Sequence, residues 1–88
     1  MTEVKYIINN ISNIHARPLS ELAKIAKDSN CEVSVKKGEN VKDIKKIIGL
    51  IQLKLKVGDE VTVIIKGKDD IVENKARENI YNFFNMNF

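Results

Sequence analysis

Two hydrophobic periodicities alternate along this chain, and their order restricts the folds open to it. Apolar residues recur at every second position in three stretches, which is typical of half-buried strands. These stretches contain Val4, Tyr6 and Ile8, then Cys31, Val33 and Val35, and finally Val61, Val63 and Ile65. The additional apolar residue Ile64 predicts that the last strand is buried near the sheet centre. Lys37-Gly38-Glu39-Asn40 predicts a turn into a short partner strand near Val41.

Three segments with a helical period separate or follow these strands. Pro18 suits the first turn of a helix, and Leu19, Leu22, Ala23 and Ala26 continue it as an apolar stripe. The apolar residues between Ile44 and Leu55 predict a second helix, with more of them than one helix face can bury. Asp70 and Glu73 resemble a capping box, and they precede a third stripe formed by Val72, Ala76, Ile80 and Phe83.

The order of elements is therefore strand, helix, strand, strand, helix, strand, helix. Helices on one face of an antiparallel sheet form an α+β open-faced, two-layer sandwich. A chain of 88 residues can bury one core of this kind, so we expect a single domain over residues 1–88. Apolar and charged fractions of 43% and 31% are those of an ordinary globular domain.

Composition also disfavours several classes of function. The sequence has no apolar run of roughly 18 residues and no signal-peptide pattern, so we expect neither membrane insertion nor secretion. A single cysteine, Cys31, favours a reducing cytoplasm. One histidine, one cysteine and no Walker-type loop indicate neither a metal nor a cofactor. The net charge of +3, with acids interspersed and no GXXG loop, argues against nucleic acid.

The only histidine and the only proline of the chain lie together at the start of the predicted first helix. His15 should therefore lie at or beside the N-cap. There, the free amides of Ala16 and Arg17, the helix dipole and the Arg17 guanidinium favour an anion. A neutral imidazole beside such a site has a free lone pair and can act as a nucleophile, which suggests phosphoryl transfer. These residues alone leave another interpretation open, because a lone histidine is more often a cap or surface residue.

The string Ile14-His15-Ala16-Arg17-Pro18 resembles the active-centre motif of the HPr family. These proteins are the histidine-containing phosphocarriers of the bacterial phosphoenolpyruvate-dependent sugar phosphotransferase system. Lys45–Leu50 and Gly58–Val63 are similar to the family's second helix and final strand, in register without gaps. The resemblance implies one HPr-like domain over residues 1–88 with βαββαβα order. It also implies a four-stranded antiparallel sheet of order 1-4-2-3 with three helices on one face, an order that periodicity alone does not provide.

The resemblance implies a phosphoryl carrier rather than an enzyme. His15 would accept a phosphoryl group from phosphorylated enzyme I and pass it to enzyme IIA domains in sugar uptake. We expect Ser12, Ala16 and Arg17 to bind the phosphate, in a monomeric cytoplasmic protein. One alternative is a regulatory paralogue in a nitrogen- or metabolism-sensing phosphorelay, which would use His15 with other partners. A third hypothesis is a binding module without phosphoryl chemistry. The presence of both His15 and Arg17 argues against it.

Partner docking is expected on the first two helices. Basic side chains around His15 would guide acidic protein partners. An exposed apolar patch flanked by charge usually marks a docking surface, and in the HPr family the second helix packs beside the active-centre histidine. The predicted docking residues are Ser20, Lys24, Lys27, Lys45, Ile47, Ile48 and Ile51.

Two residues depart from the family pattern. Asn13 replaces a glycine that is usual in the family, and asparagine tolerates a left-handed backbone better than most residues, so we expect the loop geometry to be retained. Lys46 stands where many relatives have a regulatory serine that is phosphorylated by a dedicated kinase. It has no hydroxyl, and its charge is opposite to that of phosphoserine.

Overall fold

Four strands and three helices make up the fold, and the computed structural model describes all residues 1–88. The elements are β1 (Thr2–Ile7), α1 (Ala16–Asp28), β2 (Glu32–Lys37), β3 (Asn40–Asp43), α2 (Ile47–Gln52), β4 (Glu60–Lys66) and α3 (Asp70–Asn87). The strands form one antiparallel sheet in the order β1-β4-β2-β3. The predicted α+β open-faced sandwich with sheet order 1-4-2-3 is therefore confirmed. None of the helices combines the length and apolar character needed to cross a membrane.

The alternation along the strands assigns one face of the sheet to the core. Val35 pairs with Val63, and Tyr6 pairs with Val61, and all four side chains are buried. Side chains of successive residues point to opposite faces of a sheet. Ile64 therefore lies on the open face of the central strand β4 and is only half-buried. The central position predicted for this strand is correct, whereas the burial predicted for Ile64 is incomplete because no helix covers that face.

The helices cover the core face with the stripes expected from their spacing, although three predicted positions, Ala23, Val72 and Phe83, are only half-buried. In α1, Leu19, Leu22 and Ala26 are buried and Ala23 is half-buried. In α3 the buried stripe runs through Ala76, Ile80 and Phe84, spaced four residues apart, so that the predicted Phe83 is only half-buried.

The second helix is shorter than the predicted span from Ile44 to Leu55. Ile44 is fully buried, but its amide donates a 3.0 Å hydrogen bond to the Val33 carbonyl and so continues the strand pairing. Beyond the helix, Lys54 adopts a left-handed φ of 52° and turns the chain. Only Leu50 of α2 is buried. The short helix explains the excess of apolar residues, because it leaves part of them at the surface.

The predicted capping box at the start of α3 is wrong. Asp69, with extended backbone, is the N-cap, and its side chain accepts a 2.8 Å hydrogen bond from the Val72 amide. Glu73 therefore falls at the fourth helical position instead of the third, where a capping-box glutamate belongs. Its carboxylate is buried and accepts hydrogen bonds from the Gly67 amide and the Thr2 hydroxyl instead.

Candidate functional site

His15 is the N-cap of α1, which confirms the position predicted for it. Its backbone is extended, with φ of −149° and ψ of 173°, and its carbonyl accepts a 3.2 Å hydrogen bond from the Leu19 amide. The imidazole makes no capping hydrogen bond and is exposed. The histidine backbone therefore begins the helix, while the imidazole is accessible to a partner protein.

The first turn of α1 leaves two backbone amides without a protein acceptor. Pro18 has no N–H, and the Leu19 amide is bonded to the His15 carbonyl, so the free donors are those of Ala16 and Arg17. No acidic side chain lies in this turn, and Arg17 is exposed and forms no ion pair. The helix dipole adds partial positive charge at the same place. This arrangement can stabilise an oxyanion beside the imidazole.

The loop before His15 is organised by Asn10, a residue whose role sequence reasoning missed. Its Oδ1 accepts hydrogen bonds from the Ser12 amide at 2.9 Å and from the Ser12 hydroxyl at 2.7 Å. Asparagine favours this kind of turn, because its side chain accepts a hydrogen bond from the backbone amide two residues later. The Ser12 hydroxyl is thus engaged with Asn10, and phosphate binding by Ser12 requires it to rotate away from that acceptor.

The same loop is attached to the end of α3, a contact that sequence reasoning also missed. The main-chain oxygen of Phe88 accepts hydrogen bonds from the amides of Asn9 and Asn10, the latter at 2.7 Å. Asn13 Nδ2 lies 3.4 Å from the Asn87 carbonyl oxygen, 74 positions along the chain. Asn13 is not among the residues with positive φ, so the left-handed conformation considered for this position is not adopted.

The polar docking residues predicted on α1 lie in a line. Arg17, Ser20, Lys24 and Lys27 are all exposed and are spaced three or four residues apart. At a rise of about 1.5 Å per residue, Lys27 lies about 15 Å from Arg17 along the helix axis. Lys27 lines a groove of about 490 Å³ together with Lys45, at the end of the helix far from His15. The structure therefore brings Lys27 and Lys45 together, and it places Ser20 within about one turn of Arg17.

The apolar docking residues predicted on α2 differ in exposure. Ile48 is 74% exposed and Ile51 is 46% exposed, whereas Ile47 is half-buried and packs against the core. Ile48 also lines a groove of about 770 Å³ between β3 and α2, with Val41 on its other side. The two helices α1 and α2 also contact each other. Lys46 is the N-cap of α2 and supplies no capping hydrogen bond.

The two carboxylates with clearly shifted pKa values lie outside the His15 segment. Hydrogen bonding to Lys37 holds the pKa of Asp59 below its usual value, with a further contribution from the Lys56 amide. The Gly67 amide, the Thr2 hydroxyl and the amino terminus lower the pKa of Glu73 to about 2. These carboxylates stabilise turns and a helix start, and they do not contact the α1 N-terminus.

Comparison with known proteins agrees with this geometry. The family model described as "PTS HPr component phosphorylation site" matches residues 2–85. The multiphosphoryl transfer protein of Xanthomonas campestris pv. campestris is 40% identical over 58 residues, which are 66% of this chain and 7% of that protein. Phosphocarrier protein NPr of Shewanella violacea is 30% identical over 67 residues, which are 76% of this chain and 74% of that protein.

Among solved structures, HPr-C-His from Thermoanaerobacter tengcongensis superposes on this chain with a TM-score of 0.81 and 27% sequence identity. The superposition covers 97% of this chain and 92% of that one. The family model matches nearly the whole sequence, and the fold agrees over the same length. The chain therefore belongs to the HPr family of phosphocarrier domains.

Proposed function

We propose that this domain is a phosphocarrier of the phosphotransferase system. In this proposal His15 accepts a phosphoryl group from phosphorylated enzyme I and passes it to enzyme IIA domains in sugar uptake. The proposal rests on one observation: the His15 imidazole is exposed and makes no capping hydrogen bond, and it lies beside the free amides of Ala16 and Arg17. Membership of the HPr family supports phosphohistidine as the intermediate that carries the phosphoryl group.

The helix start suits a reversible transfer. The lone pair of a His15 ring nitrogen attacks phosphorus, and the bond from phosphorus to the donor's nitrogen breaks, so that the donor recovers its lone pair. Charge on the phosphoryl oxygens is met by the Ala16 and Arg17 amides and by the Arg17 guanidinium. These groups are at the surface, where they stabilise the phosphoryl group moderately. A carrier needs this balance because the group has to leave again for the acceptor.

In this proposal, partner proteins dock on the apolar surface of α2 and on the line of polar and basic residues on α1. Ile48 and Ile51 would supply the apolar contact, with Ile47 at its inner edge. Ser20, Lys24, Lys27 and Lys45 would supply the polar and basic flank for an acidic partner surface. An interface of this kind is small and transient, which suits a protein that exchanges one partner for another.

The proposal treats the domain as a monomer in the cytoplasm. A monomer leaves the α1 and α2 surfaces free for successive partners. The single cysteine, Cys31, is buried and unpaired, as suits a reducing compartment.

A second candidate is a regulatory phosphorelay in which His15 serves nitrogen or metabolic sensing. The similarity to the Shewanella NPr favours it. Lys46 is consistent with it, because this residue cannot receive the serine phosphorylation implied for many sugar-branch relatives. The two candidates differ in their acceptors, so transfer from the phosphorylated domain to sugar-type enzyme IIA domains separates them.

Labelling with phosphoenolpyruvate and enzyme I tests the proposal. The wild-type domain should acquire an acid-labile phosphoryl group, and His15→Ala should acquire none. Circular dichroism of both proteins checks that the substitution leaves the fold intact. A wild-type domain that stays unlabelled, or a His15→Ala variant that is labelled as well as the wild type, would contradict the proposal.

A further inference from the structure

The loop that carries His15 depends on a distant residue for its backbone hydrogen bonds. Asn9 and Asn10 follow β1, and both of their amides donate to the main-chain oxygen of Phe88. Asn10 in turn accepts the two hydrogen bonds from Ser12. A chain of hydrogen bonds therefore runs from Phe88 through Asn10 to a residue three positions before His15.

The position of this acceptor is itself fixed by packing. The Phe88 ring is 5% exposed, and it packs edge-on against Phe84, with ring centroids 5.2 Å apart. The Phe88 amide donates a 2.7 Å hydrogen bond to the Phe84 carbonyl, which continues the helix. Phe88 and Ile14 also line the same void of about 20 Å³ in the core. Phe88 thus accepts hydrogen bonds from residues 9 and 10 at the start of the loop, and it shares an apolar void with Ile14 at the end of the loop.

We propose that Phe88 is a positioning residue for phosphoryl transfer, which holds the loop from Asn9 to Ile14 and thereby the orientation of His15. The inference rests on the proposed function, because it concerns the rate at which His15 accepts the phosphoryl group. In-line phosphoryl transfer needs the attacking nitrogen of His15 aligned with the bond that breaks, and a displacement of about 1 Å can cost as much as about a hundredfold in rate. Phe88 itself touches neither His15 nor the phosphoryl group in this mechanism.

The test compares Phe88→Ala with Ile80→Ala. Ile80 is 1% exposed and lies about two turns before Phe88 on the same helix, and the loop amides bond to Phe88 and not to Ile80, so it controls for loss of core packing. The expected result is a fall in kcat for transfer from phosphorylated enzyme I of about tenfold or more in Phe88→Ala. The KM of enzyme I for the Phe88→Ala domain should stay unchanged, because the substitution leaves the docking residues in place. The Ile80→Ala domain should retain the wild-type kcat. Phe88→Leu, which keeps most of the buried volume, provides a second variant if Phe88→Ala does not fold.

A second measurement does not depend on phosphorylation. Hydrogen exchange at the Asn9 and Asn10 amides, and the NMR signals of the His15 ring, are recorded on the unphosphorylated protein. In the Phe88 variants these amides should exchange faster and the His15 ring signals should shift, whereas Ile80→Ala should leave both unchanged.

Three results would overturn the inference: a wild-type kcat in the Phe88 variants, an equal loss of kcat in Ile80→Ala, or unchanged exchange at Asn9 and Asn10. Failure of the proposed function is distinct from these, because it appears as absent or His15-independent labelling of the wild-type domain.

Discussion

The Gly67 amide donates a 2.9 Å hydrogen bond to Oε2 of Glu73, the buried carboxylate of the domain. The other carboxylate oxygen accepts a 2.8 Å hydrogen bond from the Thr2 hydroxyl and lies 3.1 Å from the Met1 amino group. These donors lower the pKa of Glu73 to about 2, with the Gly67 amide as the largest cause, although removal from water opposes the shift. One carboxylate therefore joins the beginning of β1, the end of β4 and the first turns of α3.

Glu73 should make the stability of the domain depend on pH. Its pKa is lower in the folded state than its ordinary value of 4.5, so its contribution to the free energy of unfolding is present above pH 4.5 and is lost as the pH falls towards 2. Urea unfolding of the wild type and of Glu73→Gln, from about pH 7 down to about pH 2.5, should show a stability difference that shrinks through this range. Glu78→Gln, at an exposed position on α3, is the matched control. A difference that stays constant with pH would contradict the role given to Glu73.

Replacing Arg17 should impair transfer without affecting the fold. Arg17→Ala removes the guanidinium from the α1 N-terminus and should slow phosphoryl transfer from enzyme I by about tenfold or more, by analogy with the loss of one charge-stabilising donor. The residue is exposed and forms no ion pair, so the free energy of unfolding should change by less than about 0.5 kcal/mol. Arg77→Ala, on the exposed side of α3, controls for the loss of one positive charge. An equal loss of rate in both variants would show that only net charge matters.

The α2 surface should act in docking, and not in folding. Ile48→Glu places a charge at a side chain that is 74% exposed, so its stability should stay within about 0.5 kcal/mol of the wild type. The KM of enzyme I for the Ile48→Glu domain should rise by about tenfold, because the new carboxylate would face an acidic partner surface across an apolar contact. Ile71→Glu is the matched control, since Ile71 is 81% exposed on α3, away from the proposed docking surface. Unfolding of Ile48→Glu would instead mean that Ile48 is required for the core.

The N-cap of α2 offers a site for stabilisation. Lys46 lies at the N-cap with an extended backbone and provides no side-chain acceptor for the first turn. Lys46→Ser should supply one and raise the free energy of unfolding by about 0.5–1 kcal/mol in urea titrations. Lys45→Ser is the control, because the Lys45 amide is already bonded to the Asp43 side chain and the residue lies outside the helix. A gain of equal size in both variants would point to reduced charge repulsion, and not to capping.

The hydrophobic period of the sequence predicted helices and strands correctly where a single period runs through the whole segment. The alternation through Val61, Val63 and Ile65 and the stripe from Leu19 to Ala26 both identified core faces correctly. Ile44 was misassigned because an apolar residue between a strand and a helix suits either one. Its backbone hydrogen bond to Val33 places Ile44 at the end of the strand pairing, and local sequence does not encode this bond.

At the candidate site, the sequence predicted that His15 lies at the start of a helix, and it missed the residues that form hydrogen bonds with the preceding loop. His15, Ala16 and Arg17 form a contiguous motif whose chemistry follows from a helix start. The contact of Asn10 with Phe88 joins distant parts of the chain, so no local period reveals it. The Asn10 turn alone had a sequence signal, in the turn preference of asparagine itself.

The contact between the loop and the end of α3 also makes the loop before His15 sensitive to the last turn of that helix. Helix ends are the places where a native protein opens first and at least cost in free energy. Fraying of the last turn of α3 withdraws the acceptor for Asn9 and Asn10 while the sheet is still intact. The transfer proposed for His15 would then slow in a copy of the domain whose sheet is still folded.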